Sequence, residues 1–107
     1  MVDGIGMKII HQEDNLVMTE LYLRQGIRLP EHVHQSDHSA YLVKGKIQVV
    51  ANGIVSVFTT GDSWCMKKEM VHTTEALDDS VVLEVFNPSG EIEGFPLNRS
   101  NVNESII

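Results

Sequence analysis

Four of the five histidines, His32, His34, His38 and His72, fall around two turns of the chain. His32 and His34 are two apart, so on a strand both imidazoles project from one face. His38 lies four beyond His34 and can share that face once the chain resumes an extended form. His72 is distant and must be brought in by the fold. Close ligands joined by a remote one are typical of metal sites, because the fold then pre-orients the donors. Neutral imidazole suits a divalent transition metal, one of Mn, Fe, Ni, Zn or Cu. On spacing alone a second explanation stays open, in which the His-x-His pair is only a polar strand face. His11, in the polar stretch 11–15, is expected to be a solvated surface residue.

Proton-transfer chemistry beside such a metal needs a carboxylate. Glu84 interrupts the apolar run Leu83-Glu84-Val85-Phe86, and a charge there must point either to water or to a polar cavity. Asp37 and Glu69 flank the histidines but occupy loops, where carboxylates are ordinarily solvated. Tyr22, Tyr41, Met18 and Trp64 are candidates for the pocket lining or, failing that, ordinary core. Cys65, the single cysteine, sits in the apolar run Trp64-Cys65-Met66. An inert buried thiol is expected, and no intrachain disulfide can form.

The elements that must position these residues are short and β-like. Leu16–Leu23 is a strand candidate ended by Arg24-Gln25-Gly26. Residues 38–43 lead into the turn Lys44-Gly45-Lys46, and residues 47–50 follow. Ala51-Asn52-Gly53-Ile54 is the strongest hairpin signal, because a type I′ turn needs positive φ at both central positions. Residues 55–58 return from it, Thr59-Thr60-Gly61-Asp62 is a further turn, and 63–66, 71–75 and 81–86 complete at least seven strands. No segment shows an amphipathic helical period of three or more turns. The expectation is an all-β sandwich or barrel. Its core is roughly 16–88, in one domain spanning 1–107, with a C-terminal tail at 89–107 whose polar stretch 98–105 is loose.

Composition narrows the partners. The 107 residues are 42% hydrophobic and 21% charged, an ordinary globular balance. A chain this short buries a modest core, so a homodimer is expected. Eight basic against fifteen acidic residues give a net charge of −7, which opposes nucleic-acid binding, since that needs a cationic surface. No stretch approaches a membrane span and the N-terminus has no signal-peptide pattern, so a cytoplasmic protein without a membrane partner is expected.

The histidine spacing resembles that of the cupin superfamily. Gly26, His32, His34, His38 and Gly45 match the first cupin motif, G-x5-H-x-H-x3,4-E-x6-G, at every spacing. The second motif, G-x5-P-x-G-x2-H-x3-N, maps onto Gly61, Lys67, Glu69, His72 and Ala76, of which Gly61 and His72 agree. The resemblance covers residues 26–76. It implies a small double-stranded β-helix, a jelly-roll-like barrel, holding one divalent metal through His32, His34, His38 and His72. The family commonly has Glu at position 38. With His38 there all four ligands are neutral, and the metal keeps its full charge as a Lewis acid. The alternative is that His38 is a neighbour of a three-histidine centre.

The resemblance also implies a function class: a metal-dependent enzyme acting on a small oxygenated metabolite, a carbonyl or enol, by isomerase, tautomerase or lyase chemistry. Glu84 would then be the catalytic proton carrier. The competing classes are a metal-dependent dioxygenase and a non-catalytic ligand-binding cupin. The segment Glu84-Val85-Phe86-Asn87-Pro88, with Ala40-Tyr41-Leu42-Val43, is similar to the small cupins of pectin and alginate breakdown, which ketonise unsaturated monouronates. Their pattern is Asp-x-Phe-x-Pro-x-Arg. Here Glu84 takes the Asp position and Gly90 the Arg position, so the cation that would help hold a uronate carboxylate is missing. Four histidines also replace that group's three-His-plus-Gln set.

Overall fold

A computed structural model of the chain describes residues 3–88; the expected tail at 89–107, with Gly90, lies outside the described residues. Nine strands follow one another: β1 Ile5–Glu13, β2 Leu16–Leu23, β3 Arg28–His32, β4 His38–Lys44, β5 Lys46–Ala51, β6 Ile54–Thr59, β7 Ser63–Met66, β8 His72–Ala76 and β9 Ser80–Phe86. They form two antiparallel sheets, ordered β1-β2-β9-β4-β7 and β3-β8-β5-β6. Consecutive strands switch repeatedly between the sheets, which is the jelly-roll barrel expected from the motif spacing. Among the described residues no helix is long and apolar enough to cross a membrane.

Alternation decides which side chains enter the barrel. Along β2, Val17, Thr19, Leu21 and Leu23 are buried, while Leu16 and Tyr22 are exposed. β4 buries His38, Ala40 and Leu42 in the same way. With Ile47, Val49 and Val82 these residues make the core between the sheets. The same rule corrects three expectations. Cys65 is exposed, not buried, because Trp64 and Met66 take the inward positions of edge strand β7. Tyr22 and Tyr41 belong neither to the core nor to the lining of the barrel interior, since both face outward and are exposed.

Two strands exceed those read from the sequence. β1 carries Lys8, Gln12 and Glu13 and has a register shift between Ile9 and His11, so its polar–apolar pattern is broken. β3 contains Pro30, which demotes a strand in a sequence. It is tolerated because β3 is a sheet edge, paired only with β8. His11 is exposed and 3.4 Å from Glu13, as a surface residue should be.

The turns follow their local chemistry. Asn52 and Gly53 both have positive φ, 53° and 75°, and close the β5–β6 hairpin with Ala51 opposite Ile54. Gly26 (φ 90°) lets the chain turn so that its N–H donates to the Ala76 carbonyl at 2.8 Å, which seats the start of β3 against β8. Gly45 has φ 111°, and a Cβ there would lie 2.5 Å from the Asp79 carbonyl oxygen and 2.7 Å from Ser80 Cα. At Gly26 nothing lies within 4 Å.

The two motif glycines should therefore respond differently to alanine. Gly26→Ala is expected to cost about 1 kcal/mol from the left-handed conformation alone. Gly45→Ala adds a clash with backbone and is expected to cost about 3 kcal/mol or more. Urea denaturation midpoints of the two variants test this; equal losses would contradict the close approach at Gly45.

Candidate metal centre

The β3–β8 pairing sets the centre. It places His32 directly opposite His72, with ring centroids 4.3 Å apart. His34 follows β3 in the loop before β4, so the strand that would have aligned it with His32 ends two residues short of it. The loop itself delivers the ring, 5.0 Å from His32 and 5.2 Å from His72. His38 opens β4 and points inward, 1% exposed. Its ring is stacked between His34 at 3.8 Å and Phe86 at 4.2 Å.

Two loops hold His34 in place. The Glu69 N–H donates to the His34 carbonyl at 2.8 Å, and the Lys68 N–H donates to the Asp37 carboxylate at 2.8 Å. Asp37 is thus a clamp between the loops. Glu69 occupies the left-handed region, φ 63°, at the position where the family motif has Gly. The turn has kept its shape without the residue that makes it easy.

Each outer ring nitrogen that is hydrogen-bonded fixes a tautomer. His32 Nδ1–H donates to the Pro30 carbonyl at 2.7 Å, and His72 Nδ1–H donates to the Met70 carbonyl at 3.0 Å. Both carbonyls stand two residues before their histidine. His38 Nδ1 meets Glu84 Oε1 at 2.9 Å. In neutral rings so tied, the lone pair sits on Nε2, as metal-ligating histidines require. His72 Nε2 is buried without a hydrogen-bond partner, a costly state that a metal would relieve.

The donor atoms of His32, His34 and His72 all lie within 4.8 Å of one another. Nitrogens about 2.1 Å from a shared ion span at most about 4.2 Å, so small ring movements close this group on a divalent metal. The residues fit such an ion. His38 stands outside the group of three, stacked beside it.

Burial sets the protonation. His34, 6% exposed, has its pKa pushed down to about 4, first by burial and then by the neighbouring His38. His72 is also pushed down by burial, against the Met70 hydrogen bond that raises it. Both changes favour the neutral, metal-binding form at neutral pH.

Glu84 lies on the inner face of β9, in register with Thr19 and Ala40. Its side chain is 17% exposed, so of the two options left by the sequence it takes the barrel interior. Trp64 also faces inward, opposite Ala40. Met18, outward on β2, does not. A hollow of about 370 Å³ lies elsewhere, on the outer face at the far end of the sheet, lined by residues including Gly6, Tyr22, Arg24, Lys44 and Val81. No histidine lines it, and the histidine cluster lies apart from it. The carbonyls of Pro30 and Met70 are the site components that the sequence did not reveal, since neither has a distinctive residue type, whereas Phe86 belongs to the segment that resembles the uronate-ketonising cupins and stacks on His38.

No protein-family model matches the chain. It is 33% identical over 88 residues, 80% of each protein, to the pectin degradation protein KdgF of Dickeya dadantii strain 3937. Among solved structures, KdgF from a Halomonas species superposes with a TM-score of 0.76 at 27% identity, over 81% of this chain and 82% of that one. An RmlC-like cupin from Shewanella frigidimarina NCIMB 400 gives 0.77 at 20% identity, over 83% and 80%. The latter likeness concerns the fold.

Two outcomes are expected. Elemental analysis of untagged protein should find about one metal per chain, lost in His34→Ala; metal retained in that variant would remove His34 from the ligand set. In metal-free protein, unfolded His34 takes a proton near pH 6.5 and folded His34 only near 4. Stability is therefore full above pH 6.5 and falls as pH drops toward 4, by up to about 3 kcal/mol from this residue. Thermal denaturation across that range checks it, and His34→Gln should flatten the slope.

Proposed function

The chain belongs to the cupin superfamily, and we propose that it is a metal-dependent enzyme that ketonises an unsaturated monouronate or a closely related enol. The observation that carries this is a single carboxylate, Glu84, set inside the barrel 2.9 Å from His38 in a wall of clustered histidines. The likeness to pectin degradation protein KdgF supports a sugar-acid substrate over other small oxygenated metabolites.

His32, His34 and His72, with His38 as the fourth ligand, would hold one divalent ion. Bound there, the ion supplies Lewis acidity toward a carbonyl or enol oxygen. Ketonisation moves one proton from oxygen to carbon and changes no oxidation state. Glu84 is the group placed to carry that proton. Its Oε1 is engaged by His38, which fixes the carboxylate, and Oε2 is left to exchange the proton. Phe86, flat against His38, keeps water from one face of the pair. The Gly90 departure leaves the substrate carboxylate to be held by some other group.

The same proposal includes one cytoplasmic domain assembled as a homodimer. A modest core favours self-association, and Tyr22, Tyr41 and Val43 are exposed apolar positions on the outer face. Sedimentation should then give twice the monomer mass.

Glu84→Gln keeps an oxygen for His38 but cannot carry a proton. It is expected to lower turnover of unsaturated galacturonate by about 10²–10⁴-fold, and chelation of the metal should abolish it. Product formation followed by proton NMR decides. Full activity in both preparations would defeat the proposal.

A further inference from the structure

We propose that Trp64 is a substrate-binding residue of this centre, its indole N–H donating to an oxygen of the bound metabolite. The inference rests on the functional reading above, and adds to it a contact on the same sheet as Glu84, two strands away.

β7 alternates strictly, with Ser63 and Cys65 exposed and Trp64 and Met66 turned inward. Trp64 pairs with Ala40, which in turn pairs with Glu84. One inner row of the sheet therefore reads Glu84, Ala40, Trp64. The next row toward the histidines reads Phe86, His38, Met66 by the same pairings. Strands lie about 4.8 Å apart, so Glu84 and Trp64 stand about 10 Å apart along the sheet with only the Ala40 methyl between them.

The indole is also held rigidly. It stacks on Phe58 of the opposite sheet, centroids 4.2 Å apart and planes within 10°. Stacking alone needs only a ring, and phenylalanine would supply it without a polar atom. Instead Trp64 Nε1 is buried without a hydrogen-bond partner, a condition shared among the described residues only with His72 Nε2. A buried donor left unpaired is costly, and such groups in folded proteins ordinarily have a partner. His72 Nε2 is explained by the metal. The Trp64 N–H calls for its own occupant, and because indole nitrogen only donates, that occupant presents an oxygen: a hydroxyl, carbonyl or carboxylate. An oxygen-rich sugar acid meets that need.

Trp64 is the single tryptophan, so ¹⁵N-labelled protein gives one indole signal. In zinc-loaded protein titrated with D-galacturonate, that signal is expected to shift and saturate together with the backbone signals of His32, His34 and His72. Trp64→Phe, which keeps the stack, should weaken galacturonate binding about tenfold without lowering the melting temperature. If the histidine signals move while the indole stays fixed, or if Trp64→Phe binds as tightly as the parent, the assignment of Trp64 is wrong and the uronate reading survives. If no signal moves at all, the uronate reading fails and the Trp64 assignment goes with it.

Discussion

The antiparallel pairing of β3 with β8 is the constraint on which the candidate centre depends. It sets His32 opposite His72, joining two residues that are remote in sequence. The pairing is itself made at the other end of β3, where the Gly26 N–H reaches the Ala76 carbonyl and the Ala76 N–H reaches Ile27. A motif glycine thus seats a strand whose far end carries the first histidine of the candidate centre. Pro30 fits because β3 is an edge, and its carbonyl then orients the His32 ring. One residue both marks the sheet boundary and fixes a tautomer.

Charge at the centre is distributed differently from the usual cupin pattern. A carboxylate at position 38 would neutralise part of the metal charge directly. Here position 38 is an imidazole, and Glu84 sits behind it at 2.9 Å. The negative charge has moved one imidazole ring outward rather than disappearing. A carboxylate on the far nitrogen raises the basicity of a ligating imidazole, so His38 would be a stronger donor than an unassisted histidine. A metal held there would be less electrophilic than one held by four isolated neutral ligands.

Phe86, His38 and His34 form a continuous stack, and this ties the loop that carries His34 to strands β4 and β9. His34 comes from a loop, which by itself would leave its ring loosely placed. The stack and the two loop clamps, through Glu69 and Asp37, restrict it. Burial then depresses its protonation, so the least regular ligand is also the one most firmly kept neutral. Local backbone cost is accepted for this at Glu69, whose left-handed conformation a glycine would adopt more easily.

The barrel and the histidine cluster were legible in the chain before any contact was known. Alternation, Asn52-Gly53 and the first-motif spacing are local properties, and local properties survive in a one-dimensional reading. It was weakest where regularity fails: β1 is interrupted by a bulge, and β3 contains a proline that only its edge position permits. Which way a residue faces is also undetermined where apolar side chains stand on both faces of a strand, and for Cys65, Tyr22 and Tyr41 only the pairing sets the phase. The tertiary structure alone set the relative placement of the site's groups. It turned Glu84 inward and set it against His38, gave His32 and His72 carbonyl partners two residues upstream, and isolated a group of three donors with His38 stacked beside it. Those are relations between strands from different parts of the chain, and hydrogen bonds across sheets leave no spacing signature in sequence.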